Sequence, residues 1–291
     1  MRLVACITLL FAASASAQTP EPPASSEIVV TGTRDRETQV RDFVGALTQA
    51  PGGSIPRFID AVCPAVSGLG PTQKEAVVTR LRAVATAAAI PVGPAACVPN
   101  MFVIVTPDKR TFIELLARKR PQSFGLMSAR EIARLARTPG PAAAWQLEGP
   151  VTVSGVPLQW DDTTGAYINS TTEAASRITT VGRRGFDAAA LVVEVGALEG
   201  ITSVQLADYA AMRLFAKVNP ARLPNRAPTT ILTLLTTPMG SPVPITMSKW
   251  DLGLLRGLYA VTPNLAPSAQ RSQIARQVVR DLNSDSKQHG R

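Results

Sequence analysis

Few residues in this chain could do chemistry on their own. It has one histidine, His289, and that residue lies in a C-terminal stretch expected to fray beyond Ser284. Its place removes the usual Ser-His-Asp and Cys-His arrangements and any histidine-rich zinc site. No G-x-S-x-G, P-loop or G-x-G-x-x-G pattern occurs. Ser284-x-x-Lys287 matches a Ser/Lys pair, but a fraying tail cannot hold a nucleophile in place. The carboxylates leave more room. Asp161-Asp162 could ligate a hard cation or belong to a glycosidase-like pair, although adjacent aspartates between strands are commonly turn residues. Asp208 is more pointed. At about 100° per residue, Val204, Ala207, Ala211, Leu214, Phe215 and Val218 share one face of a helix, with Asp208 at its edge and Gln205 and Tyr209 on the more exposed side. A carboxylate there is either satisfied by an arginine or backbone N–H groups, or it lines a cleft.

Cys63 and Cys97 are the second pair with chemical potential. The N-terminus reads as a secretory signal: Arg2, then the apolar run Leu3 to Ala13, then Ala15-Ser16-Ala17, which predicts cleavage before Gln18. Leu3-Val4-Ala5-Cys6 looks like a lipobox, but too little apolar sequence precedes the cysteine for that site to work. The apolar run also falls short of the about 20 residues that span a bilayer. Export leaves Cys63 and Cys97 as the only cysteines, and an even count in an oxidising compartment predicts a disulfide. Its loop of about 35 residues contributes about 3 to 4 kcal/mol in the chain-entropy model. The expected location is periplasmic or secreted.

The elements that would position these residues follow from patterning. Residues 18–54 read as a flexible leader, Pro/Ser-rich at first, then the β-prone run Glu27 to Thr33, then a short amphipathic helix carrying Val40, Phe43, Val44 and Leu47. Pro51-Gly52-Gly53 is the best boundary, so residues 55–283 form the expected single domain and 284–291 its tail. Helices are predicted from Pro71 to about Ala89, after Asp108, from Ser128-x-x-Glu131, from Thr202-x-x-Gln205 to about Val218, from Ser248-x-x-Asp251, and from Pro267 to Leu282. Met101 to Thr106 and Ala190 to Val195 read as buried strands, and Thr229 to Thr236 fits strand or helix. Trp145 to Glu148, Val151 to Trp160 and Tyr167 to Asn169 suggest a small antiparallel meander. The fold class is therefore α+β: interleaved helices around a small, mostly antiparallel sheet.

The formal charge is +9, and loss of Arg2 with the signal leaves 29 basic and 21 acidic residues, a mature charge of +8. The basic residues are scattered and aromatics are few, which argues against nucleic acid; an exported basic surface suits an anionic envelope surface. No cofactor motif is present.

Glu27-Ile28-Val29-Val30-Thr31-Gly32 resembles the TonB box of TonB-dependent outer-membrane receptors, which follows the signal peptide on a flexible leader. That resemblance implies strand addition to the TonB C-terminal domain. It covers this segment alone, because the rest lacks the length and alternation of a plugged membrane barrel. The body is similar to uncharacterised exported proteins of alphaproteobacteria through Cys63-Pro64-Ala65-Val66-Ser67-Gly68-Leu69, Cys97-Val98-Pro99-Asn100, Gln205-Leu206-Ala207-Asp208-Tyr209-Ala210 and Trp250-Asp251. The likeness implies a compartment and no chemistry. A zincin helix would carry H-E-x-x-H, and Gln205 to Tyr209 has neither histidine. Three functional readings stay open: an envelope binding module that contacts TonB through residues 27–32, a hydrolase using Asp208, Asp161 or Asp162, and a structural cell-wall-associated module.

Overall fold

Burial on both faces decides the sheet. In the computed structural model, which describes residues 33–50, 53–169, 182–224, 227–238 and 240–284, the strands β1 (Arg57–Phe58), β2 (Pro64–Ser67), β3 (Met101–Thr106), β4 (Ala142–Thr152) and β7 (Gly182–Glu194) form one five-stranded sheet. Its long strand β7 pairs in parallel with β1 and β3, and β3 pairs in parallel with β2. Only β4 runs antiparallel to β7. β1 and β3 lie end to end along one edge of β7, since β4 occupies the opposite edge through the same residues.

The α+β class holds, but the main sheet is mostly parallel, not mostly antiparallel. The physical reason is that helices cover both of its faces, as crossover connections require. Such strands read as continuous apolar runs, and Ala188 to Val193 and Met101 to Val105 do. The antiparallel meander is confined to β4 against β7 and to the separate hairpin β5 (Gln159–Asp161) and β6 (Ala166–Ile168).

Seven α-helices are described: α1 (Thr33–Leu47), α2 (Pro71–Ala87), α3 (Lys109–Lys119), α4 (Ala129–Ala136), α5 (Ser203–Phe215), α6 (Lys249–Ala260) and α7 (Pro267–Asn283). Local chemistry starts most of them. Asp108 accepts from Thr111 N at 2.9 Å, and Ser128–Glu131, Thr202–Gln205 and Ser248–Asp251 are reciprocal capping boxes. The segment 229–236 is neither strand nor α-helix, but a 3-10 turn at Ile231–Thr233. The larger core cluster joins α1, α2, α5, α6 and α7 to one face of the sheet; the smaller one puts α3 and α4 on the other. Val40, Phe43, Val44 and Leu47 of α1 belong to the larger cluster. The core thus extends N-terminal to residue 55, because an amphipathic helix of this pattern buries its stripe against α7.

Cys63 and Cys97 are joined by a disulfide that ties the entry of β2 to the loop before β3. Among the described residues, no helix is long and apolar enough to cross a membrane. The signal segment 1–17, the TonB-box-like residues Glu27, Ile28, Val29, Val30, Thr31 and Gly32, and His289 lie outside the described residues.

Candidate functional site

The helix α5 is central. It lies against α2, α6, β4 and β7, and every residue from Gln205 to Phe215 is buried. The periodicity reading of this helix needs correcting. Val204, assigned to the core face, is 42% exposed, while Gln205 and Tyr209, assigned to the wetter side, are buried. A helix enclosed all round has no solvent face for periodicity to mark.

Asp208 is fully buried and fully satisfied. Arg80 donates to it twice, Nε to Oδ1 at 2.7 Å and a terminal nitrogen to Oδ2 at 3.0 Å. Thr246 Oγ1 donates at 2.6 Å and Met247 N at 2.7 Å. This fork locks α2, α5 and the segment before α6 together. Asp208 therefore lines no cleft. Asp161 serves a turn: it accepts from Thr163 N at 2.9 Å and Thr164 Oγ1 at 2.8 Å between β5 and β6, and neither it nor Asp162 is near Asp208 in an acidic group that could hold a metal. Asp251 does more than cap α6. It is fully buried and accepts from Ser248, from Thr230 Oγ1 and from Ile231 N at 3.0 Å.

The other charge on α5 is different. Arg213 is 7% exposed and faces a cleft of about 400 Å³. The one hydrogen bond of its side chain among the described residues runs to the Tyr209 hydroxyl, and its guanidinium carbon lies 5.5 Å from the centre of the same ring. Its Nε is buried with no partner among the described residues. Tyr209 is no counter-ion: burial pushes its phenol pKa up, and the pull of Arg213 only partly opposes that. A further cation stands close by. Burial draws the Lys109 ammonium below its ordinary pKa, Glu194 and Asp108 resist, and the charge of Arg213 adds to the lowering. Lys109 Nζ itself donates to Thr138 O and to Gly140 O at 2.7 Å.

The cleft opens between the outer edge of β4, the end of α5, and α4 with the 3-10 turn Pro121–Phe124 before it. Glu148 on β4 is held by Lys217 and, at 3.7 Å, by Arg184. A bulge puts these side chains on one face. Leu147 faces Ala188 and Glu148 faces Phe186, so Asp187 is an extra residue in β7. Without it, Arg184 would alternate with Ala190 and Val192 onto the opposite face. Glu131 also borders the cleft, but Ser128 donates to it from its backbone and hydroxyl, each at 2.7 Å, and holds its carboxyl below the usual pKa. Phe124, Leu126, Met127, Leu135, Trp145 and Val218 supply apolar wall. The lining charges, Arg184, Arg213 and Lys217 against Glu131 and Glu148, leave a net +1.

Sequence reasoning missed this site. Its one signal was an arginine inside a mostly apolar helix, and the same pattern drew attention to Asp208 instead. Among the described residues, no group of three or more His, Cys, Asp or Glu side chains is placed to hold a metal ion. No protein-family model, curated protein or solved structure matches the chain.

Proposed function

We propose that the protein is a cell-envelope binding module whose ligand sets an anionic group on Arg213. The observation that carries this reading is the buried guanidinium, which has one hydrogen bond among the described residues for its five N–H donors. A buried cation without a counter-ion is costly, and a bound carboxylate or phosphate would supply it. The apolar walls suit a ligand with an apolar body, and the volume lies within the range of small-ligand sites. Binding is favoured over hydrolysis because the cleft's carboxylates are engaged: Glu148 by Lys217 and Arg184, and Glu131 by Ser128. General acid–base work needs a carboxyl that can exchange a proton at the substrate.

The exported setting, periplasmic or secreted, is supported by the signal-like N-terminus and the Cys63–Cys97 disulfide. Contact with TonB through Glu27 to Gly32 belongs to the same proposal as a separate, recruiting interaction, and its support is the sequence of that segment.

Calorimetric titration with phenylacetate tests the cleft. The parent should bind it, with affinity about tenfold or more weaker for phenylacetamide and for Arg213→Met, as expected when a charge-assisted hydrogen bond is lost. Equal binding of acid and amide would remove Arg213 as the anchor.

A further inference from the structure

The edge of β4 says more about the ligand. Glu194 N donates to Pro141 O at 2.9 Å, which fixes the phase of the antiparallel ladder. Counting from that bonded pair, Ala143, Trp145 and Leu147 exchange hydrogen bonds with β7, while Ala142, Ala144 and Gln146 turn their N–H and C=O groups outward. The opposite edge of β7 agrees, since Ala189 N donates to Asn100 O. Further along, β4 is protected: Thr152 N donates to Val156 O, and Leu158 N to Pro150 O. No such cover lies over Ala144 and Gln146 among the described residues, and both line the cleft beside Arg213.

We infer that the ligand is an extended peptide that adds to the outer edge of β4 and places a carboxylate on Arg213. This deepens the binding-module reading and rests on it. Backbone donors and acceptors two residues apart are the repeat an added strand needs, and an edge left bare is a template for pairing. Charge selects the occupant. Arg213, which meets no carboxylate among the described residues, favours an acidic chain end, whereas a second copy adding β4 to β4 would bring a second Arg213 to the cleft and only carboxylates already engaged by Lys217, Arg184 or Ser128. A small anion alone would satisfy Arg213 and leave Ala144 and Gln146 unpaired.

The test uses a fluorescein-labelled peptide, Thr-Val-Thr-Val-Leu with a free C-terminal carboxylate, in anisotropy titrations with the full mature chain. Its C-terminal amide and two analogues N-methylated at alternate residues, one for each phase, serve as comparisons. The free acid should bind at least tenfold tighter than phenylacetate, and the amide should lose about tenfold. One N-methyl phase should lose binding while the other keeps it, because only one set of N–H groups faces β4. Ala144→Pro removes an N–H that the sheet does not use; it should melt near the parent temperature and lose the peptide. If phenylacetate binds through Arg213 but both N-methyl phases bind like the parent peptide, strand addition is wrong and the anion site stands. If neither phenylacetate nor peptide binds, both readings fall. A concentration-dependent dimer abolished by Ala144→Pro would assign the edge to a second copy and overturn the peptide proposal.

Discussion

Asp208 and Arg213 lie on the same buried helix, yet their surroundings differ in kind. Asp208 has a two-pronged arginine, a hydroxyl and a backbone N–H around it. Removing its carboxylate would leave the Thr246 hydroxyl and the Met247 N–H without their acceptor, while the part-exposed Arg80 can turn to water, so Asp208→Ala should destabilise the fold by about 2 to 4 kcal/mol. Urea unfolding beside the parent measures it, and a loss below about 1 kcal/mol, the range of surface substitutions, would mean that the network contributes little. Arg213 should behave in the opposite way. Arg213→Met removes an unpaired buried charge near Lys109, so ligand-free protein should unfold at the same urea concentration or higher, by up to about 1 kcal/mol. A clear destabilisation would show that Arg213 is a structural residue. The sequence pointed to Asp208 and to the kind of partner it needs, because one carboxylate on an apolar helix face is a local signal. It gave no sign that Arg213 meets no carboxylate among the described residues, since that depends on which residues of β4 and α4 reach the end of α5.

At the scale of elements, boundaries were legible where local chemistry sets them. Asp108, Ser128, Thr202 and Ser248 each cap the helix that follows, and caps are readable because donor and acceptor lie within three residues. Strand pairing was not legible, because the partners of β7 come from residues 57 to 152. Helix ends are closed from afar as well. Arg57 donates to Leu258 O in the last turn of α6 and to Val261 O just after it, Arg256 to Ala87 O at the end of α2, and Arg271 to Thr48 O after α1. Burial, with the charge of Arg183 added, brings the Arg57 guanidinium down to about 10, and it stays protonated at neutral pH. The α6–α7 contact rests on Gly253 and Gly257. A Cβ at Gly257 would stand 2.9 Å from Ile274 Cα, a backbone atom that can yield only by moving the helix. Gly257→Ala should therefore cost about 1 to 3 kcal/mol, despite the gain of about 1 kcal/mol that alanine offers in a helix. A thermal melt of the variant above that of the parent would show that α7 can shift freely.

For the whole molecule, the basic excess has a partly internal use. Three arginines close helix ends, Arg80 holds Asp208, and Lys109 ties the chain between α4 and β4. A formal charge of +9 thus says less about a polyanionic partner than composition alone suggests. What stands out is the buried Arg213, whose guanidinium meets only a neutral hydroxyl among the described residues, at the end of the most enclosed helix and beside a strand edge. The most direct test is the side-chain Nε–Hε signal of Arg213 in a proton–nitrogen correlation spectrum, assigned by its loss in Arg213→Met. On titration with phenylacetate, that signal should move downfield and its exchange with water should slow, while the signal of Arg80, already bonded to Asp208, stays in place. An Arg213 signal unchanged at saturating phenylacetate would contradict the anion site.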